Sequence, residues 1–501
     1  MFMKKMAAFL MAFTLACTSI PADLHTGAAI ETVYAAQAVA ISSEADLAAM
    51  QEDPDGNYYL AKDITIKGNL NLFPNYYDYD TKVQHEECFT GSLDGRGHKI
   101  KNYTGIGLFD NAKNATFKNI VMTNVDLETP EMRMAEGCAA LVLYAQKCSF
   151  SNITVSGKAK SSGAGIVYAT EACNFTKCIS KVDANIKEQK DISINSFAGI
   201  ARGDNKSTFK SCKNKGNITL TGKANAEAMF MVFGIAGTVK KIENCVNSGD
   251  ITIKNAVDDG YAGLDFEMKA CGLVGDSYGQ VKGCGNTGKI SVTNKDGKMT
   301  RASITVSGVI AEYRKSCSVK QCYNKGTVSF TGICSESSPG YISGVGAGGS
   351  MTECYNTGKI IVNTKDGVSY VGGVTQYVTK LKNCYNAGTV SLTGKGYAGG
   401  VAGKLSAGSC NYNVGKVTAK GKNAYAGEIA GYVTMESSVD NNYYTGSGKK
   451  SGGECTSWVP YQSKAKKVSS ITFANCPKLS SKYWTYSGKH KRLVLKNNKE
   501  A

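Results

Sequence analysis

The sequence predicts an all-β chain wound as a right-handed parallel β-helix, with an α/β cap at the N-terminal end and a short cap at the C-terminal end. Three observations carry this expectation. A Cys-x-Asn-x-Gly phrase recurs every 30 to 39 residues, strict apolar alternation follows each copy, and a Gly-hydrophobic phrase falls between the copies. Alternation of period two belongs to strands. A unit of this size cannot bury its own apolar face, so it must stack on its neighbours around a shared core. Parallel crossovers of this kind take the right-handed sense.

The first phrase reads Cys212-Lys-Asn214-Lys-Gly216, Cys245-Val-Asn247-Ser-Gly249, Cys284-Gly-Asn286-Thr-Gly288, Cys322-Tyr-Asn324-Lys-Gly326, Cys354-Tyr-Asn356-Thr-Gly358 and Cys384-Tyr-Asn386-Ala-Gly388. The alternating pairs after it include Ile218/Leu220, Ile251/Ile253 and Val328/Phe330. Towards the N-terminus the Cys position becomes Ile153 and Ile120, so the slot is interior and apolar. Phe209, Phe175, Phe150 and Phe117 each lie three residues before that slot. The Asn side chains are expected to hydrogen-bond along the stack, and the following Gly to supply a left-handed turn. About ten coils, on the order of 45 Å of solenoid, are expected at the strand spacing.

The second phrase includes Gly234-Ile235-Ala-Gly237, Gly272-Leu273-Val274-Gly275 and Gly400-Val401-Ala402-Gly403. These copies resemble the GLUG-motif repeats of bacterial surface proteins. Phe89-Thr-Gly-Ser-Leu-Asp94-Gly-Arg-Gly-His98-Lys-Ile100 with Gly107-Leu-Phe109 is similar to the opening segment of that group. The resemblance spans most of residues 41–447. It implies the solenoid architecture; for activity it leaves open adhesin-like proteins and repeats that sit beside protease modules. The chain departs from the protease-bearing members in carrying no catalytic domain next to the repeats.

Residues 1–38 read as an export signal. Lys4 and Lys5 precede an apolar run from Met6 to Ala16, and small-residue cleavage sites lie near Ala35, Ala36 and Ala38. Lipid attachment at Cys17 is the alternative processing. No later segment is apolar for the ~20 residues a membrane span needs, so an extracellular or cell-wall location, of Gram-positive type, is expected. Residues 39–106 form the N-terminal cap and first coil, with a short helix opened by Ser43-Glu-Ala-Asp46 and a strand from Tyr58 to Ile66. Residues 107–447 are the repeats. Residues 448–501 are the C-terminal cap, read as loosely wrapped.

Of 18 cysteines, 17 lie after the signal, so at least one cannot pair. Stacked on parallel strands, their Cβ vectors run side by side, a poor geometry for disulfides. Small buried hydrophobes is the reading that fits, with Cys148, Cys173 and Cys317 open to local bonding.

The candidate binding residues are Tyr323, Tyr355, Tyr385, Tyr412 and Tyr443. Each lies between the interior slot and the Asn, so its side chain must point outward, and five in a row predict an exposed aromatic strip. A second series, Tyr341, Tyr370, Tyr397 and Tyr425, precedes the Gly phrase and reads as interior. Lysine and arginine exceed acids by 58 to 41, and residues 447–501 alone hold 12 basic and 2 acidic residues. Lys464, Lys466, Lys467, Lys489, Lys491 and Arg492 therefore predict a basic tail for a cell-wall polyanion. Export disfavours nucleic acid as the partner.

No cofactor or metal is expected: Cys-x-x-Cys, His-Glu-x-x-His and Gly-x-Ser-x-Gly are absent from the sequence. The function expected is non-catalytic adhesion, binding a glycan or a protein partner. The alternative is a polysaccharide lyase or hydrolase, for which Asp258, Asp259, Asp265 and Glu267, or Asp78/Asp80 with Glu86/Glu87, supply loop carboxylates. Arg202-Gly203-Asp204 reads as turn chemistry rather than an integrin motif.

Overall fold

The computed structural model describes residues 38–501 except 69, 79–82, 131–136, 188–193, 225–228, 258–264, 296–300, 314–316, 336, 448–451, 456–464, 499 and 501. The export signal and Cys17 thus lie outside the described residues. The apolar alternation becomes three long parallel sheets, visited once per coil in the order first, second, third. One coil runs through Ala236–Glu243 (first sheet), Val246–Asn247 and Ile251–Val257 (second) and Asp265–Cys271 (third). The chain then re-enters the first sheet at Val274–Lys282. Equivalent residues pair in register from coil to coil, as in Ile218, Ile251, Ile290, Val328, Ile360 and Val390. Each apolar side chain shelters its counterpart, and a parallel β-helix with one continuous interior follows.

The N-terminal cap has the expected helix, Glu44–Ala49: Ser43 caps it by accepting from the Asp46 N–H at 3.1 Å, while the Ser42 N–H donates to Asp46 Oδ2 at 2.8 Å. The segment from Tyr58 divides into two strands, Asn57–Leu60 and Ile64–Thr65. The tyrosine-rich segment that follows forms an antiparallel pair, Asn75–Asp78 with Val83–Glu86.

Inside, three columns hold the coils together. Phe117, Phe150, Phe175 and Phe209 stack with centroids 5.2, 4.8 and 4.7 Å apart. Cys178, Cys212, Cys245, Cys284, Cys322, Cys354 and Cys384 fill the interior slot and are fully buried. These slot cysteines are all thiols. The slot asks for more than a small hydrophobe, because several of these sulfurs accept the N–H of the preceding coil. Examples are Cys322 N–H to Cys354 Sγ at 3.4 Å and Cys354 N–H to Cys384 Sγ at 3.3 Å. Where cysteine stops, Asn411 and Asn442 take over that acceptor role: Cys384 N–H to Asn411 Oδ1, 2.8 Å, and Asn411 N–H to Asn442 Oδ1, 3.0 Å.

The asparagine ladder is directional. Asn214, Asn247, Asn286, Asn324, Asn356, Asn386 and Asn413 each donate from Nδ2 to the carbonyl of the Gly two residues on, at 2.7–2.9 Å. That carbonyl can only accept, which fixes the amide orientation. From Asn214 to Asn386, the same Nδ2 donates to the next coil's Oδ1 at 2.7–2.9 Å. The chain of amides ends on a buried carboxylate: Asn413 Nδ2 donates to Glu428 Oε2 at 3.0 Å.

The glycine after each Asn is needed for a different reason than a left-handed turn. Gly249, Gly326, Gly388 and Gly415 lack positive φ; a Cβ there would lie 1.9 Å from the carbonyl oxygen of the preceding coil's Gly. Backbone stacks on backbone with no room for a side chain. The left-handed residue is instead the one just before the interior slot. Lys177, Ser211, Asn244, Gln321, Glu353, Asn383 and Cys410 all have φ between 53° and 58°, a conformation costly for most residues but tolerated by Asn.

Candidate functional site

Tyr323, Tyr355, Tyr385, Tyr412 and Tyr443 do align in register on the outer side of the second sheet. The first four rings stack at 5.5, 5.1 and 4.9 Å. They do not form an exposed strip. Tyr355, Tyr385, Tyr412 and Tyr443 are 1, 0, 0 and 4 % exposed, because the C-terminal segment folds back over them with Ile471, Leu479, Trp484, Leu493 and Leu495. Trp484 lies 5.9 Å from the Tyr385 ring and 5.3 Å from that of Tyr412. The Tyr412 hydroxyl donates to the Leu493 carbonyl, and Asn498 Nδ2 donates to the carbonyls of Cys322 and Glu353 at 3.2 and 2.9 Å. Burial pushes the phenols of Tyr355, Tyr385 and Tyr412 well above their ordinary pKa. The cap is therefore packed rather than loosely wrapped, and these tyrosines are its seat. Tyr323 alone of the five is half-buried, with Lys325 Nζ 5.3 Å from its ring centre.

The basic tail is smaller than the charge count implied. Lys466, Lys467, Lys489 and Lys491 are exposed, and Lys464 lies outside the described residues. Arg492 is not a free charge: its Nη2 donates to both Glu500 carboxylate oxygens at 2.6 and 2.7 Å, and His490 Nε2 is 3.4 Å from the same carboxylate. Glu500 thus ties Arg492 and His490 together within the tail.

Among the carboxylates, Asp80, Asp258 and Asp259 lie outside the described residues. Glu267 is occupied by Lys269 at 2.8 Å, and Lys269 meets Glu312 at 3.1 Å. Burial opposes the Lys269 charge, but Glu267, Glu312 and Asp276 outweigh it and hold its pKa above the ordinary value. Asp204 of the Arg-Gly-Asp tripeptide is consumed by its own turn, accepting from the N–H groups of Ala172, Lys206 and Ser207 at 3.2, 3.2 and 3.0 Å. Among the described residues no three His, Cys, Asp or Glu side chains gather as metal ligands do.

The second tyrosine series occupies the surface. Tyr341, Tyr370, Tyr397 and Tyr425 pair in register on the third sheet and are half-buried, while their neighbours Ile342, Val371 and Ala398 face the interior at 0 % exposure. The rings stack at 5.7, 5.2 and 5.4 Å with interplanar angles of 12–15°. The Gly phrase then turns the chain into the first sheet, whose outward column at this level is Tyr377, Lys404 and Tyr432. Tyr432 reaches back across the corner, edge-to-face with Tyr397 at 5.1 Å and with Tyr370 at 6.2 Å. Rings on two sheets meet outside the solenoid, so the corner is concave: a groove running along the coils. Lys404 Nζ sits 5.7, 5.5 and 5.7 Å from the ring centres of Tyr370, Tyr377 and Tyr432.

Followed towards the N-terminal coils, the third-sheet column continues from Tyr341 to Thr305 and Lys269. Here the same corner holds a cavity of about 150 Å³ lined by Arg202, Met231, Phe233, Thr238, Lys269 and Asp276. One end of the groove is aromatic and the other is charged. The expectation that the second series is interior is thus overturned, and strand alternation carried the signal: Tyr341, Tyr370 and Tyr397 each immediately precede an inward Ile, Val or Ala.

Residues 34–157 match the family model described as the M26 IgA1-specific metallo-endopeptidase N-terminal region. That match covers the N-terminal cap and first coils, about a quarter of the chain, and ends before the groove begins. No curated protein matches the chain.

Proposed function

We propose that the chain is an exported, surface-displayed bacterial β-helix that acts by binding rather than catalysis, and that its ligand is an extended glycan lying along the tyrosine groove. The observation that carries this reading is the half-exposed ladder Tyr341, Tyr370, Tyr397, Tyr425, repeated once per coil. Stacked rings turn their faces largely toward one another, so the ladder presents mainly ring edges and a comb of phenol hydroxyls along the coils. Such a comb suits a polymer whose hydroxyls recur at a spacing close to that of the strands, about 4.8 Å. Tyrosine makes the contact at low entropic cost, having two rotatable bonds and a hydroxyl that both donates and accepts. The export reading rests on Lys4, Lys5 and the apolar run after them.

The test is a glycan array with the full mature chain, followed by affinity measurement on the hits. The double variant Tyr370→Ser/Tyr397→Ser should lose at least about tenfold in affinity, ~1.4 kcal/mol, with an unchanged far-ultraviolet spectrum. Chromatography of the hits after incubation should show chains of unaltered length. A silent array, or a double variant that binds like the parent, would rule the groove out.

A further inference from the structure

We infer that the glycan taken by this groove is anionic, and that Lys404 is the residue that reads its charge. The inference rests on the glycan-binding reading above and specifies the ligand class. Several lysines on the coils stand against acids: Lys158 and Lys160 with Asp126, Lys206 with Glu171 and Lys320 with Glu353 on the neighbouring coil, and Lys241 with Glu243 along its own strand. In the charged end of this same groove, Lys269 holds two carboxylates. Lys404 differs from these in what surrounds it. Its ammonium lies 5.5–5.7 Å from the centres of three tyrosine rings, and no described carboxylate pairs with it.

Aromatic rings attract a cation through their negative faces but do not neutralise it. They also displace water from one side of it, which strengthens its attraction for an anion arriving from the other. A neutral glycan would leave that charge unanswered in the middle of its binding track. A polymer carrying a carboxylate or a phosphodiester on successive units would place an anion against Lys404 while its hydroxyls met the flanking phenols, and charge-assisted hydrogen bonds of this kind are the strong ones.

The experiment uses the full mature chain and three polymers: polygalacturonate, poly(glycerol phosphate) and a neutral β-glucan, each titrated at low and high salt. Four proteins are compared: parent, Lys404→Gln, Lys404→Arg and Tyr370→Ser/Tyr397→Ser. The parent should bind at least one anionic polymer about tenfold more tightly than the glucan, which corresponds to one charge-assisted contact. Lys404→Gln should remove most of that preference and flatten the salt dependence, Lys404→Arg should keep it, and thermal unfolding should be unchanged in both. Whichever anionic polymer binds more tightly identifies the source of the anion. Equal binding of the glucan, or a Lys404→Gln protein with the parent's affinities, overturns the anionic assignment while leaving glycan binding intact. Failure of all three polymers, with the tyrosine variant equally inert, overturns both.

Discussion

Replacing Asn324 by alanine tests the asparagine ladder, because every bond it makes is identified. The side chain is fully buried. Nδ2 donates to the Gly326 carbonyl and to Asn356 Oδ1, both at 2.7 Å, and Oδ1 accepts from Asn286 Nδ2 at 2.8 Å. Asn324→Ala removes three hydrogen bonds, worth about 1 kcal/mol each net. It also leaves the Gly326 carbonyl and Asn356 Oδ1 as buried acceptors without these donors, at about 1 kcal/mol or more apiece. A loss of about 3–5 kcal/mol is expected. Asn214→Ala should cost about 1 kcal/mol less, because Asn214 Oδ1, at the start of the ladder, accepts nothing.

Repeat arrays need not unfold as one unit, so a single denaturation midpoint is not sufficient. Hydrogen exchange resolved by coil is the better assay: protection should collapse first in the strands around residues 286, 324 and 356, and urea unfolding followed by circular dichroism should report the total. If Asn324→Ala costs under about 1 kcal/mol, or the same as Asn214→Ala, the ladder is a passive filler and the directional network argument fails.

Trp484→Ala, in the cap, should cost about 3–5 kcal/mol locally and open the segment to trypsin at Lys478, Lys482 and Lys491 while the solenoid's circular dichroism persists; a cap that stays resistant would contradict its seating on the second-sheet tyrosines. The thiols make a pH prediction. Burial raises Cys138 and Cys271 to about 12, and Cys317 and Cys334 to about 11. A group whose folded pKa is raised stabilises fully below its unfolded value, about 8.5, and loses that contribution as pH climbs through the folded value. Each such thiol then removes about 1.4 kcal/mol per pH unit, so the urea midpoint should be flat from pH 6 to 8 and fall steeply between pH 9 and 11. A midpoint unchanged at pH 10.5 would show that these thiols are not held in an apolar interior.

The solenoid was legible because one period sets both its chemistry and its geometry. Any residue that recurs in the slot before Asn must stack on its own copies, and the exchange of Cys with Ile153 and Ile120 marked that column as interior. The role of the following glycine was read wrongly for a physical reason. Positive φ and close backbone approach both demand glycine, and only coordinates separate them. The residues that do turn left-handed, such as Lys177 and Glu353, carry no sequence mark, although Asn119, Asn152, Asn244, Asn383 and Asn441 in the same position were a usable hint.

The two tyrosine columns exchanged places for a reason that local pattern cannot express. Parity places Tyr355 and Tyr385 outside the coil, and in that sense it was right, since they lie across the second sheet from the solenoid core. What decides their exposure is a segment about a hundred residues later in the chain, and its signal was compositional. Trp484, Leu493 and Leu495 form an apolar set in a polar, basic tail too small to bury them by itself, so the set finds a further apolar partner elsewhere. The strip of outward tyrosines supplied that partner. An aromatic column that has a tail of matching character in the same chain is a docking seat. The column on the third sheet is left half-exposed beside Lys404, with no described segment of the chain folded over it as the cap folds over Tyr385, and it is the one we propose as the ligand's track.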